Sequence, residues 1–189
     1  MKNQQLRRIC EGAVLVAAAL ALSYLKIPIG LSFGGFGGSI DLVMIPLILF
    51  AVRWGPGWGL GAGLAFGTLK FFFAGGVAVN WQSMLLDYSL AYMMVGLAGV
   101  MKNRKWGLVS GGLIGCACRF AVHFVSGITI YAAYMPDEFM NMAMTNAWLY
   151  SLLYNGTYML PNTVLVVAVG AAVTVPLGKY IKRESATNH

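Results

Sequence analysis

Six apolar stretches joined by short polar junctions constrain this chain more than any other feature. They cover residues 12–27, 40–52, 58–73, 84–101, 108–131 and 147–177. A helix crossing a bilayer needs about 17–25 mostly apolar residues. In hydrocarbon every backbone polar group must be satisfied within the segment, so stretches of this kind are helices. The expectation is an all-α integral membrane protein, one six-helix transmembrane domain over residues 1–189. The second stretch is short for a span and is expected to tilt or to dip into the protein.

Composition supports the same class. The chain is 59% hydrophobic and 10% charged, with a mean hydropathy of +0.72, where soluble domains carry about 25% charge. A net charge of +7 raises the question of nucleic acid. The basic residues, however, form short clusters between apolar runs, which fits topology control and anionic lipid. No nucleic-acid partner is expected. The start of the chain, with Arg7, Arg8, an apolar run and Ala19-x-Ala21, mimics a signal peptide. Because further spans follow, an uncleaved first helix is expected.

The basic clusters orient the bundle. Lys2, Arg7 and Arg8 precede the first stretch, and Arg53 separates the second from the third. Lys102, Arg104 and Lys105 separate the fourth from the fifth, and Lys179, Lys182 and Arg183 follow the sixth. With six spans these ten of the thirteen basic residues share one side. The positive-inside rule makes that side cytoplasmic, with both termini inside. Asp137 and Glu138 fall outside.

Several chemistries lack their residues. Phe33-Gly-Gly-Phe-Gly-Gly38 is glycine-rich but lacks the Gly-Lys-Ser/Thr ending of a nucleotide loop, so no ATP hydrolysis of that kind is expected. It reads as a connector, or as a lid bearing two aromatics. Cys10, Cys116 and Cys118 have no zinc spacing with histidine and read as reduced packing residues. No metal, cofactor or catalytic residue is expected.

Against this background Asp87, Arg119 and His123 stand out, because an ionisable group in hydrocarbon costs about 2.5–3.5 kcal/mol on insertion scales. Such groups usually face a cavity or a partner. At 1.5 Å per residue, Arg119 lies about 17 Å and His123 about 23 Å along the fifth helix, in its outer half. Arg119, His123, Gly127 and Tyr131 recur every four residues and share one stripe. Asp87 and Tyr88 lie near the outer start of the fourth helix. Tyr150, Tyr154 and Asn155 lie one to three turns into the sixth. Topology therefore brings polar groups of three helices to one depth, open to the exterior.

Plainer roles compete at each position. Asp87 and Arg119 are suited to a structural ion pair, and His123 to an interhelical hydrogen bond. Tyr88, Tyr131, Tyr150, Trp81 and Trp148 suit the interfacial aromatic belt. Asp41 and Lys70 lie near outer helix ends, and Lys70 is expected to snorkel. Taken together, the set suits a planar, nitrogen-rich, cationic ligand, with aromatic faces and a carboxylate for the charge. Arg119 would equally accommodate an anion. On the first helix, Ala13, Ala17 and Ala21 form a small-residue face that allows close helix approach, within the chain or to another membrane protein.

Three runs carry a resemblance: Leu85-Leu-Asp-Tyr88, Arg119-Phe-Ala-Val-His-Phe-Val-Ser-Gly127, and Trp148-Leu-Tyr-Ser-Leu-Leu-Tyr-Asn-Gly156 followed by Tyr158-Met-Leu-Pro161. They resemble the ThiT/YuaJ family, the thiamine-specific substrate-binding (S) components of energy-coupling factor (ECF) transporters. The likeness runs from about residue 11 to 175. It implies a six-helix S-component bundle in the bacterial cell membrane that captures thiamine from outside and is not an enzyme. Asp87, Tyr88, Arg119, His123, Gly127, Tyr131, Tyr150 and Asn155 match ligand-site positions. Tyr131 falls where an aromatic stacks on the ligand. Ala13 and Ala17 match the docking motif for the membrane coupling protein, which works with two ATPase subunits.

Some relatives carry Glu at Asp87, Lys at Arg119 and Trp at Tyr131, and a first-loop Trp has Phe33 or Phe36 as its nearest substitutes. Two rivals follow from the residues alone. One is a stand-alone proton-coupled carrier using Asp87 and His123. The other is a membrane enzyme with His123 as base, which lacks a nucleophile–base–orienter trio.

Overall fold

The computed structural model describes residues 2–29 and 37–182, with side chains for 3–29 and 37–176. Phe33 and Phe36 lie outside the described residues. Six helices occur among the described residues: α1 (Lys2–Leu22), α2 (Met44–Trp54), α3 (Pro56–Phe73), α4 (Trp81–Met101), α5 (Gly107–Thr129) and α6 (Ala147–Lys182). At one end of the bundle, β1 (Ile27–Pro28) pairs antiparallel with β2 (Ser39–Ile40). At the same end, β3 (Glu138–Phe139) pairs with β4 (Met142–Ala143).

By length and composition α4, α5 and the Ala147–Pro176 part of α6 can each cross a membrane. The short second stretch becomes α2, whose 11 residues extend only about 16 Å. Its shortness has a physical basis. Eight of its eleven residues are buried, among them Met44, Leu47, Ile48, Phe50 and Val52. The helix packs against α1, α3, α4, α5 and α6, so protein rather than lipid surrounds it. Large apolar side chains such as Val14, Leu160 and Val164 face outward instead, as a bilayer requires.

Glycines set how closely α3 and α4 pack. Gly59, Gly63 and Gly67 recur every four residues on α3. A Cβ at Gly63 would lie 2.1 Å from the Tyr92 carbonyl oxygen, and one at Gly67 would lie 2.2 Å from that of Tyr88. Only a bare Cα permits this contact of backbones. The α2–α3 corner turns at Gly55, whose φ of +102° is a glycine conformation, and Pro56 then starts α3. Asn80 starts α4 with a capping box: its Oδ1 accepts from the Ser83 backbone N–H at 2.8 Å, and Ser83 Oγ accepts from the Asn80 N–H at 3.2 Å. Past this cap the backbone widens into a π turn over Leu85–Leu90. Such turns are frequent at functional sites, and this one carries Asp87 and Tyr88.

The fifth apolar stretch departs from expectation at its end. The α-helix stops at Thr129, and Tyr131 lies on a separate 3-10 turn, Tyr131–Tyr134. The stripe begun by Arg119 and His123 therefore holds only as far as Gly127. Thr129 Oγ1 donates to the Val125 carbonyl at 2.7 Å, a local bond that competes with regular continuation.

Candidate functional site

Opposite the basic residues Arg8, Arg53 and Lys102, the helices part around a cavity of about 180 Å³. All eight residues singled out from the sequence line it: Asp87, Tyr88, Arg119, His123, Gly127, Tyr131, Tyr150 and Asn155. Tyr131 reaches it from the 3-10 turn. Asp87 is the one carboxylate among the described lining residues.

The structural ion pair to which Asp87 and Arg119 are suited does not form. Asp87 instead accepts from the Ser126 hydroxyl at 3.0 Å and contacts His123 Nδ1 at 3.0 Å. Arg119 Nε donates to His123 Nε2 at 3.3 Å. Because Nε2 accepts, the imidazole hydrogen sits on Nδ1 and points at Asp87. The two opposite charges thus flank one neutral ring. The second Arg119 donor, Nη2, goes to the Tyr92 hydroxyl at 3.0 Å.

Lys70 also departs from expectation. It does not snorkel: it is buried, donating to Tyr92 Oη at 2.6 Å and to Asp41 Oδ2 at 3.2 Å. It follows Gly67 by three residues, so the face that packs on α4 carries it inward. The Asp41 carboxylate also accepts from Ser39 Oγ. Asn162 on α6 secures the same corner, accepting from the Asp41 N–H and donating to the Ser39 carbonyl.

The α6 wall is aromatic. Tyr150, Tyr154 and Tyr158 follow one another at every fourth residue, with ring centroids 5.6 and 6.2 Å apart in succession. Tyr154 Oη accepts from the Gly37 N–H at 3.1 Å and donates to the Gly37 carbonyl. The end of the loop between α1 and α2 is thereby tied to the cavity. At Gly38, with φ +93°, a Cβ would strike the Tyr158 ring at 2.5 Å. Phe139 of β3 packs edge-on against Tyr150 at 5.5 Å, so the α5–α6 connection closes over the same wall.

Several expected site residues already have protein partners. Tyr88 Oη accepts from the Val77 N–H at 2.7 Å and holds the α3–α4 loop. Asn155 Nδ2 donates to the Ser151 carbonyl at 2.9 Å, and its Oδ1 accepts from Tyr158 Oη at 2.5 Å. Gly127 lets α5 meet α6, because a Cβ there would lie 2.1 Å from Ser151 Oγ. The Tyr131 phenol is pushed up from its ordinary value, first by burial and then by the Asp87 carboxylate. It stays a neutral donor at physiological pH. Trp81 and Trp148 are exposed, as interfacial anchors are.

Sequence reasoning did not single out Tyr92, Tyr158, Ser126 or Ser151. Spacing carried the signal for two of them. Tyr158 continues the Tyr150–Tyr154 stripe, and Tyr92 lies one turn beyond Tyr88. Among the described residues no group of three or more His, Cys, Asp and Glu is placed to hold a metal ion. Of the docking pair, Ala13 and Ala17 are both exposed, while Gly12, Val16 and Ala19 make the buried face of α1.

The family described as thiamine transporter protein (YuaJ) matches residues 9–181. The thiamine transporter ThiT of Bacillus subtilis is 30% identical over 98% of this chain and 99% of its own length. The ThiT of Lacticaseibacillus paracasei is 30% identical over 97% and 94%. A solved structure of ThiT from Listeria monocytogenes has the same fold, with a TM-score of 0.79 at 24% identity, over 94% of this chain and 98% of that one. With its fold, its cavity and these relatives, the chain is a non-enzymatic multi-pass bacterial membrane protein and belongs to the YuaJ family of thiamine transporters.

Proposed function

We propose that this protein is the substrate-capturing S component of an ECF-type transporter, binding thiamine from the extracellular side. The observation that carries the ligand is the cavity itself: one carboxylate, Asp87, faced by tyrosines from three segments. Aromatic faces attract a cation and stack on heterocycles, and a carboxylate offsets the charge of a thiazolium ring. In this reading Asp87 meets the thiazolium, Tyr131 stacks on a ring, and His123, Tyr150 and Asn155 shape the hydrogen-bonding wall. Tyr88 and Gly127 keep the cavity open by what they hold in place. Arg119 forms its floor.

The cavity lies at the end away from Arg8, Arg53 and Lys102, which under the positive-inside rule faces outward. The exposed Ala13–Ala17 face offers a membrane coupling protein a surface for close helix approach. Two ATPase subunits would supply energy that this chain has no nucleotide motif to supply. Mass spectrometry of the purified chain is expected to find co-purified thiamine. A different bound molecule, or failure of added thiamine to bind, would refute the ligand assignment.

A second reading, a stand-alone proton-coupled carrier, draws on the direct Asp87–His123 contact. Reconstitution in liposomes separates the two. The S-component reading expects no uptake by this chain alone under a proton gradient, and uptake once coupling and ATPase subunits are added. Robust uptake by the chain alone would favour the carrier.

A further inference from the structure

We infer that Tyr92 is a positioning residue that keeps Arg119 from neutralising Asp87, and so preserves the cavity's preference for a cation. The inference rests on the reading of the ligand as thiamine.

Tyr92 is 1% exposed and stands between two buried cations. Its hydroxyl accepts from Lys70 Nζ at 2.6 Å and from Arg119 Nη2 at 3.0 Å. Its ring lies 4.2 Å from the Arg119 guanidinium carbon and is itself held edge-on by Phe66 at 4.7 Å. Lys70 has its own carboxylate in Asp41. Arg119 has no direct carboxylate partner among the described residues, and its Nη1 is buried without a hydrogen-bond partner there.

The nearest acid in the cavity is Asp87, one imidazole away through His123. A direct Arg119–Asp87 pair would be the favoured arrangement for two buried opposite charges. It would also cancel the charge that a cationic ligand needs. Two restraints oppose it: the His123 ring that separates the charges, and the Tyr92 hydroxyl that anchors the guanidinium on the far side. Tyr88 and Tyr131 line the same cavity as Asp87, and Tyr158 meets His123 edge-on at 5.9 Å. Among the described residues, the other cations lining the cavity are Lys70, paired with Asp41, and Lys26, which donates to the Ala74 carbonyl at 3.3 Å.

Removing the Tyr92 hydroxyl releases the guanidinium on its far side and leaves the His123 ring as the remaining restraint between Arg119 and Asp87. The test compares thiamine with deazathiamine, in which a neutral thiophene ring replaces the thiazolium. Both are titrated by calorimetry into wild type, Tyr92→Phe, and Tyr92→Phe combined with Arg119→Gln. Tyr92→Phe keeps the ring that packs on Phe66. It is expected to weaken thiamine by about tenfold or more and deazathiamine by no more than about twofold, since only the cation competes with Arg119. The double variant removes the freed cation and returns the ratio of the two affinities to within about threefold of wild type.

Equal losses for both compounds, or no loss for thiamine, would overturn the inference and assign Tyr92 a structural role. A ratio that stays depressed by about tenfold in the double variant would also overturn it, and that variant decides alone if Tyr92→Phe does not fold. Wild-type protein that binds neither compound would overturn the thiamine reading as well.

Discussion

At the scale of single residues, buried polar side chains such as Asp41, Lys70 and Asn155 have partners that account for their presence in an apolar bundle. Asn155 is the clearest case. Its amide ties α6 to itself through Ser151, reaches the His123 carbonyl on α5 at 3.3 Å, and accepts from Tyr158. Asn155→Ala removes these bonds and leaves the Tyr158 hydroxyl unpaired, at about 1–3 kcal/mol for each buried group so stranded. Calorimetry is expected to show thiamine affinity lowered by at least about tenfold in protein that still purifies as a folded species. Unchanged affinity would remove Asn155 from the site.

For whole elements, the site depends on how closely α3 approaches α4. The glycine face of α3 brings Lys70 to Tyr92, so a bulge there is felt in the cavity. Alanine raises helix propensity by about 1 kcal/mol over glycine. At Gly63 that gain is outweighed, because the new Cβ meets the Tyr92 carbonyl at 2.1 Å and rigid backbone cannot rotate away. Gly63→Ala is expected to destabilise by about 1–3 kcal/mol, lowering the melting temperature in detergent. Gly61, on the same helix, has nothing within 4 Å of its Cβ position. Gly61→Ala is expected to leave the melting temperature unchanged or raise it. The same direction for both variants would mean that helix propensity, not the α3–α4 contact, governs this face.

For the molecule as a whole, the cavity and the proposed docking face lie on different surfaces. The cavity opens at one end between α3, α4, α5 and α6, whereas Ala13 and Ala17 face outward along α1. Replacing both alanines with Trp is therefore expected to leave thiamine affinity within about twofold while abolishing uptake in cells, because indoles prevent close helix approach. Normal uptake by that variant would show that the face is not the docking surface.

Periodicity and charge alone made the six-helix membrane bundle legible, since hydrocarbon allows only helices for such stretches and the basic clusters alternate with them. They also brought Asp87, Arg119, His123, Tyr150 and Asn155 to one depth, because rise per residue converts position into height. Pairing within that layer was not legible. Sequence spacing does not say which of two carboxylates an arginine or a lysine will meet. A neutral histidine stands between Asp87 and Arg119 in place of the direct pair that was one of the roles open to them, and Lys70, expected to reach for the interface, turned inward to Asp41 and Tyr92. Those choices follow from helix rotation and from the glycine-mediated approach of α3 to α4. The chain's chemistry was thus determined by its order of residues. Which charge remains available to a ligand was decided only by tertiary packing, which fixes the distances over which buried charges select their partners.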